Sequence, residues 1–240
     1  ALKYDKNNAI IHKNIAKAYK QKKEYAKAIE FIEKSISLNE ESANARMLLG
    51  NLYYETGKYK KAVKAYQEAL KRKPDDPSLL YNLGSALLKS GDEFAATEYL
   101  KKAGAFDKIG EVAYRSYAKL GILYTERKRY ALAEEALRQA KAIRPKDPVV
   151  RYNLGITYLR QNKKEQALKE FNYAVNLAKD DINMLEHVGD AFFMLKDYDK
   201  SMEVYKKILK HKKRSVRVLS RIAEIYYEKG DIDKAYNMYK

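Results

Sequence analysis

Apolar residues recur along this chain at intervals of three and four, which is the spacing of a buried helical face. Residues 48–54 read LLGNLYY and residues 62–70 read AVKAYQEAL, with the polar break ETGKYKK between them. The break contains Gly57, a residue type that ends helices. No strand pattern competes elsewhere. The pattern predicts short paired helices and an all-α chain.

The helical pattern repeats. The tetrapeptide YNLG occurs at 81–84 and again at 152–155, and a small residue in the second half of each unit returns every 34 positions with one slip of three. These anchors are Ala28, Ala62, Ala96, Ala133, Ala167, Ser201 and Ala235. The slip places an insertion in or near GAFDKIGEVA, residues 104–113. Seven successive units are therefore expected.

Two further positions keep this frame. Twelve residues before each anchor stands a small residue: Ala16, Gly50, Gly84, Gly121, Gly155, Gly189 and Ala223. Three residues later comes a large, mostly aromatic one: Tyr19, Tyr53, Leu87, Tyr124, Tyr158, Phe192 and Tyr226. We interpret the small residue and the anchor as the point where two helices of a unit approach closely, with the aromatic filling the space beside it. Glycines separate the helices of a unit, and prolines separate units.

The pattern resembles the tetratricopeptide repeat family, whose 34-residue unit carries the signature W-x2-L-G-x2-Y, A-x3-F and P. The resemblance is close over 48–74 and good over 119–145, and it covers nearly the whole chain. The signature tryptophan is absent, and its place is held by His12, Arg46, Leu80, Tyr117, Arg151, Leu185 and Leu219. The resemblance implies a right-handed superhelical α-solenoid of antiparallel helix pairs.

The repeat frame also predicts the boundaries of the units. We expect repeats at 9–42, 43–76, 77–110, 114–147, 148–181 and 182–215, with an insertion at 111–113 and a truncated seventh repeat at 216–240. Residues 1–8 align with the tail of a preceding repeat. This layout is typical of a fragment of a longer array.

By resemblance, ligands of such a chain lie along a concave groove lined by the first helix of each pair, as extended peptides or helices. The candidate groove residues are Lys13, Asn14, Lys17, Asn51, Tyr54, Tyr81, Asn82, Arg115, Lys119, Tyr152, Asn153, His187, Asp190, Arg217 and Arg221. Asn14, Asn82 and Asn153 recur at one position, and an amide both donates to and accepts from a peptide backbone. The alternative is that these amides bond to neighbouring helices.

A sharper hypothesis comes from tetratricopeptide co-chaperones, which clamp the C-terminal carboxylate of a chaperone with lysine, asparagine and arginine. The matching types here are Asn51, Asn82, Arg115 and Lys119, while Met47 stands in place of the first lysine. Because charged recognition of a carboxylate needs positioned donors, the insertion before Arg115 should displace the basic pair. The clamp is therefore a secondary expectation.

The net charge of +17 raises the question of nucleic-acid binding. The first-helix segments carry a share of this charge close to their share of the length, and the densest run, KKILKHKKR at 206–214, ends a second helix. We therefore expect a protein or peptide partner, with an acidic or carboxylate-terminated segment as one option, and no nucleic acid. An RNA-binding array would instead lose affinity steeply with salt.

Residues suited to catalysis are sparse. The chain has no cysteine, its histidines His12, His187 and His211 fall in different repeats, and no phosphate-binding glycine motif occurs. We predict no enzyme, no metal and no cofactor. No stretch reaches the length of a membrane span, so we expect a soluble protein, cytoplasmic or periplasmic. The predicted function is a protein-interaction scaffold; the alternative is a regulatory or substrate-recruiting segment of a larger enzyme.

Overall fold

A computed structural model describes residues 5–239, which form fourteen α-helices and no strand. The predicted all-α class is confirmed. The helices are α1 (Ala9–Gln21), α2 (Tyr25–Leu38), α3 (Ala43–Glu55), α4 (Tyr59–Leu70), α5 (Pro77–Ser90), α6 (Glu93–Asp107), α7 (Glu111–Glu126), α8 (Tyr130–Ile143), α9 (Pro148–Arg160), α10 (Lys164–Ala178), α11 (Ile182–Met194), α12 (Tyr198–His211), α13 (Val216–Glu228) and α14 (Ile232–Tyr239).

The chain divides into two compact units, and the boundary between Tyr117 and Ala118 falls inside α7. The two helices pack on each other in the pairs α1/α2, α3/α4 and α5/α6 of unit 1 and in α9/α10, α11/α12 and α13/α14 of unit 2. Second helices also pack on the first helix of the following pair, as α4 does on α5 and α10 on α11. First helices of neighbouring pairs also touch, α3 with α5 in unit 1 and α9 with α11 in unit 2. Each unit therefore has a face made by its first helices, which we call the first-helix surface of that unit.

The three extra residues of the repeat frame lengthen a helix. First helices begin at Ala9, Ala43 and Pro77, and α7 begins at Glu111, three residues before the position that aligns with the other repeats. Consequently α7 has 16 residues, whereas α5 has 14. The carboxylate of Asp107 accepts a hydrogen bond of 2.8 Å from the backbone N–H of Ala113, which caps this added turn. The repeat boundaries themselves stay a prediction, and residues 1–4 and 240 lie outside the described residues.

The small residue of the first helix has a clear packing role. A Cβ atom placed on Gly155 would lie 2.5 Å from a ring carbon of Phe171, and one on Gly50 would lie 2.5 Å from the ring of Tyr66. The closest group is thus the large residue four positions after the anchor, while the anchors Ala62 and Ala167 are fully buried beside it. The two helices of a pair therefore approach closely at the small residue, as expected, but the group that the small residue contacts is a ring of the second helix.

A residue with positive φ stands in the turn between the two helices of every pair. Glycine occupies it in three repeats, at Gly57, Gly91 and Gly230, with φ between 73° and 94°. In the other four repeats it is Lys23, Lys128, Asn162 or Lys196, with φ between 58° and 61°. The left-handed conformation strains residues that have a Cβ. Because lysine and asparagine adopt this conformation despite the strain, the geometry of the turn between the two helices requires it whatever the residue type.

Polar side chains at the signature tryptophan position anchor the preceding turn. His12 Nε2 donates to the carbonyl of Lys6 at 2.8 Å, and Arg151 Nε donates to the carbonyl of Pro145 at 3.0 Å. Arg46 bonds in the same way to the carbonyl six residues before it. This shared hydrogen bond pairs the nitrogen that faces the preceding turn, which lowers the cost of placing a histidine or an arginine there, although Nδ1 of His12 is buried without a partner.

Candidate functional site

Two asparagines are linked on the first-helix surface of unit 1. Asn51 on α3 accepts a hydrogen bond of 2.7 Å from the hydroxyl of Tyr66, and the same Oδ1 accepts one of 3.4 Å from Nδ2 of Asn82 on α5. Neither amide bonds to any other side chain or backbone group among residues 5–239. Nδ2 of Asn51 and Oδ1 of Asn82 therefore remain as one donor and one acceptor for a ligand.

Aromatic rings and a guanidinium lie on the same surface. The rings of Tyr54 and Tyr59 meet edge to face at 5.4 Å, and the guanidinium of Arg115 lies 4.3 Å from the ring centroid of Tyr81. Burial raises the pKa of the Tyr54 hydroxyl, and the neighbouring Tyr59 and Tyr81 raise it further. The hydroxyl of Tyr54 thus stays protonated at neutral pH, and the Tyr81 ring holds Arg115 by a cation–π contact.

The predicted residues on α1 form the basic end of this surface. Asn14 and Lys17 are exposed and Lys13 is half-buried. Within the described part of the chain, neither lysine has a carboxylate at ion-pair distance. Lys20, one turn further on, pairs with Glu55 of α3 at 2.7 Å. Two cations of α1 are therefore left for an acidic ligand.

In unit 2, Asp190 of α11 is the centre of an ion-pair network. Its Oδ1 accepts from the hydroxyl of Tyr205 at 2.5 Å and lies 3.1 Å from Nε of Arg221, while its Oδ2 lies 2.9 Å from Nη2 of Arg217. Arg217 also pairs with Glu186 at 3.3 Å. The predicted basic residues of α13 are thus neutralised by carboxylates of α11.

The remaining candidates of unit 2 pack on one another or on their own helix. Tyr152 lies 5.7 Å from the ring of His187 and 6.0 Å from that of Phe171. Burial raises the pKa of Tyr152, and the charge of Asp190 adds to the increase. Nδ2 of Asn153 donates 2.8 Å to the carbonyl of Val149, one turn earlier. This amide donor is consequently committed within α9.

The predicted set therefore separates into different environments. Asn51 and Asn82 are brought together. Asn82 bonds to a neighbouring helix, which is the arrangement given above as the alternative to groove binding. Asn153 is turned onto its own helix, and Asn14 is exposed. Of the clamp residues, Lys119 is half-buried in the part of α7 that belongs to unit 2, while Asn51, Asn82 and Arg115 belong to unit 1.

The sequence reasoning missed two tyrosines that orient the site. The hydroxyls of Tyr66 and Tyr205 bond to Asn51 and Asp190, at the same place in their repeats. Burial raises the pKa of both hydroxyls far above the usual range, so each remains a donor. The available signal was that this position is tyrosine in three repeats, at Tyr66, Tyr205 and Tyr239, whereas the equivalent Phe171 has no hydroxyl.

Residues 5–239 contain neither a metal-binding cluster nor a membrane-spanning helix. No group of three or more histidine, aspartate or glutamate side chains is arranged to hold a metal ion there. None of the helices in this range combines the length and apolar character needed to cross a bilayer.

Comparison with known proteins places this geometry in a family. Residues 1–240 match the family of the C-terminal domain of cilia and flagella-associated protein 70, a tetratricopeptide domain. Human protein O-mannosyl-transferase TMTC1 is 26% identical over 82% of the chain, and bovine BBSome complex member BBS4 is 24% identical over 82%. The chain spans only 22% and 37% of the length of these relatives.

The fold has close counterparts among solved structures. The C-terminal part of a TPR repeat-containing protein from Cytophaga hutchinsonii superposes with a TM-score of 0.74 and is 21% identical, covering 94% of this chain and 92% of that one. This likeness concerns the fold. The match over the full chain shows that the protein belongs to the family of the C-terminal domain of cilia and flagella-associated protein 70, a family of tetratricopeptide repeat domains.

Proposed function

We propose that this chain binds a segment of a partner protein on the first-helix surface of unit 1 and thereby contributes to complex assembly or recruitment. The observation that carries the proposal is the linked amide pair of Asn51 and Asn82, which is held by the hydroxyl of Tyr66 at 2.7 Å. A pair fixed in this way loses little side-chain entropy when a ligand binds. It is therefore suited to recognising backbone groups rather than one particular side chain.

The chemistry around the amide pair favours an extended segment with acidic character. An extended backbone exposes alternating donors and acceptors, which match the remaining donor of Asn51 and acceptor of Asn82. Tyr54 supplies half-buried aromatic surface next to them, while the buried ring of Tyr81 positions Arg115. Lys13 and Lys17 have no internal counterion in the described range, and Arg115 is exposed above Tyr81. Complementary charge of this kind increases the association rate and aligns the ligand.

The first-helix surface of unit 2 supports a different contribution. Asp190 neutralises Arg217 and Arg221 within the unit, so this surface attracts anions less. We expect it to recognise neutral or mixed segments through Tyr152 and His187. The similarity to BBS4, which is named as a BBSome complex member, supports a role in assembly.

One comparison favours a second candidate function. TMTC1 is named as a protein O-mannosyl-transferase, and this chain matches 22% of it. The chain would then be a regulatory or substrate-recruiting segment of a larger enzyme. A catalytic domain in the full-length sequence, together with loss of substrate recruitment on deleting residues 5–239, would support this candidate over the scaffold.

The proposal is tested by a nuclease-treated pull-down from the organism of origin at near-physiological salt, quantified by mass spectrometry. Asn82→Ala removes half of the amide pair, whereas Asn153→Ala removes an amide that is bonded to its own helix and is the matched control. We expect at least one protein to be retained by the wild type and the control and to be depleted severalfold with Asn82→Ala.

Two results would contradict the proposal. Equal retention by Asn82→Ala and the wild type would exclude the amide pair from the binding surface. Loss of every retained protein after nuclease treatment would show that nucleic acid bound by the positive charge had bridged them.

A further inference from the structure

A cavity of about 290 Å³ opens between α2, α3 and α4 of unit 1, away from the residues proposed above. For comparison, a dry cavity of about 150 Å³ holds a benzene molecule, so this one has room for a large side chain. Its apolar part consists of Ile36, Leu49, Tyr53 and Ala65, and its polar part consists of Arg46, Lys61, Lys64 and Glu68.

The equivalent place in the fifth repeat is filled from within the chain. Arg151 stands at the same repeat position as Arg46, and its Nη1 pairs at 2.8 Å with Glu170, a carboxylate only 5% exposed. Lys141 pairs with the other oxygen of Glu170 at 2.8 Å. In that repeat, an arginine of the first helix is therefore satisfied by a buried carboxylate of the second helix.

The second repeat has the arginine without the carboxylate. The position of Glu170 is held by Ala65, which is 8% exposed, and the methyl group leaves the cavity open. Arg46 bonds to the backbone carbonyl of Glu40, as Arg151 bonds to that of Pro145. Among residues 5–239, Arg46 has no carboxylate at ion-pair distance.

The rim of the cavity is positively charged. Lys61 and Lys64 are exposed and form no ion pair in the described part of the chain, and the ammonium of Lys61 lies 5.6 Å from the ring centroid of Tyr53. Glu68, the acidic member of the rim, is held by Lys71 at 2.6 Å and by Arg72 at 3.7 Å. Three cations therefore line a cavity whose only lining carboxylate among the described residues is already paired; the carboxylate of Glu33 lies outside this lining and accepts from the hydroxyl of Tyr53 at 3.1 Å.

We propose that this cavity binds a glutamate or aspartate side chain of a partner protein, flanked by apolar residues. The carboxylate occupies the place that Glu170 fills in the fifth repeat and pairs with Arg46, while the apolar neighbours cover Ile36, Leu49 and Tyr53. Hydrogen bonds between charged groups in a partly buried site are among the strong ones in proteins. The site lies apart from the linked amides, so it is a second docking surface and does not depend on them.

The probe is a pair of fluorescein-labelled peptides, identical except that a central glutamate between leucine and phenylalanine is replaced by glutamine in the second. Fluorescence anisotropy with the full chain gives both dissociation constants. We expect the glutamate peptide to bind at least tenfold more tightly than the glutamine peptide, because only the former provides a charged acceptor. Arg46→Leu should remove this preference, and leucine is accepted at the equivalent Leu80 and Leu185.

Ala65→Glu provides the sharpest variant, since it places a carboxylate beside Arg46 as Glu170 stands beside Arg151. It should abolish binding of the glutamate peptide without lowering the melting temperature, whereas Asn82→Ala should leave this binding unchanged. The proposal is overturned if the two peptides bind equally or neither binds below about 1 mM. It is also overturned if folded Arg46→Leu keeps the preference for glutamate.

Discussion

The left-handed turn residues allow the stability of the fold to be changed without touching a packed side chain. Lys128 has φ of 58° in the turn between α7 and α8, and its exposed side chain has no ion pair or hydrogen-bond partner among residues 5–239. Replacing it with glycine therefore removes only the conformational strain of a Cβ in that region. Asn162 has the same φ of 58°, but asparagine tolerates the left-handed region better.

The expected size of the effect follows from two opposing terms. A left-handed conformation costs a residue with a Cβ about 1–2 kcal/mol, while glycine costs about 0.5–1 kcal/mol more than alanine in lost backbone freedom. Lys128→Gly should therefore raise the free energy of unfolding by roughly 0.5–1 kcal/mol. In a chain of this size, 1 kcal/mol corresponds to about 2–4 °C in melting temperature.

The assay is urea unfolding followed by circular dichroism at 222 nm, with the melting temperature as a second measure. Lys128→Ala is the matched control, because it removes the same side chain and keeps the strained Cβ. We expect no gain from this control and a smaller gain from Asn162→Gly. The reverse change, Gly57→Ala, should destabilise unit 1 although its Cβ would contact nothing within 4 Å. Equal stability of Lys128→Gly and Lys128→Ala would refute the reasoning.

Two further predictions follow from packing and charge. Gly155→Ala should lower the free energy of unfolding by about 1–3 kcal/mol, because the new Cβ would overlap Phe171; an unchanged urea midpoint would contradict this. Burial alone would raise the pKa of Glu134, but hydrogen bonds from Lys163 and Gln161 outweigh the effect of burial and lower that pKa. The contribution of Glu134 to the free energy of unfolding is therefore present above about pH 4.3 and is lost on acidification. Lys163→Met should therefore weaken the fall in stability between pH 7 and pH 3, measured by urea unfolding at both values, whereas the same change at the exposed neighbour Lys164 should leave that fall intact.

The sequence predicted the fold because the repeat imposes the same contacts many times. Gly50, Gly155 and Gly189 recur where a second-helix ring meets the first helix, and such agreement between units identifies a helix pair without knowledge of its neighbours. The all-α class and the tetratricopeptide family were confirmed. The left-handed turns at Lys23, Lys128 and Lys196 could not be predicted from residue type, because the connection imposes a conformation that lysine does not prefer.

The candidate site was less predictable because side-chain partners depend on which residues neighbouring repeats supply. Asn82 and Asn153 occupy equivalent positions, yet Asn82 bonds across to Asn51 and Asn153 bonds back to Val149. The repeat frame gives both the same expected role. The opposite charges around Asp190 could be read from the sequence, but their pairing required the relative placement of α11, α12 and α13.

The central claim is that the first-helix surface of unit 1 contacts a partner protein. The most direct measurement replaces Tyr54 on α3, or the exposed Glu98 on α6, with the photo-cross-linker p-benzoylphenylalanine and identifies the adducts formed in an extract of the organism of origin. The account predicts one dominant protein adduct from position 54 that Asn82→Ala diminishes, and none from position 98. Adducts that form equally from both positions, or only from position 98, would contradict it.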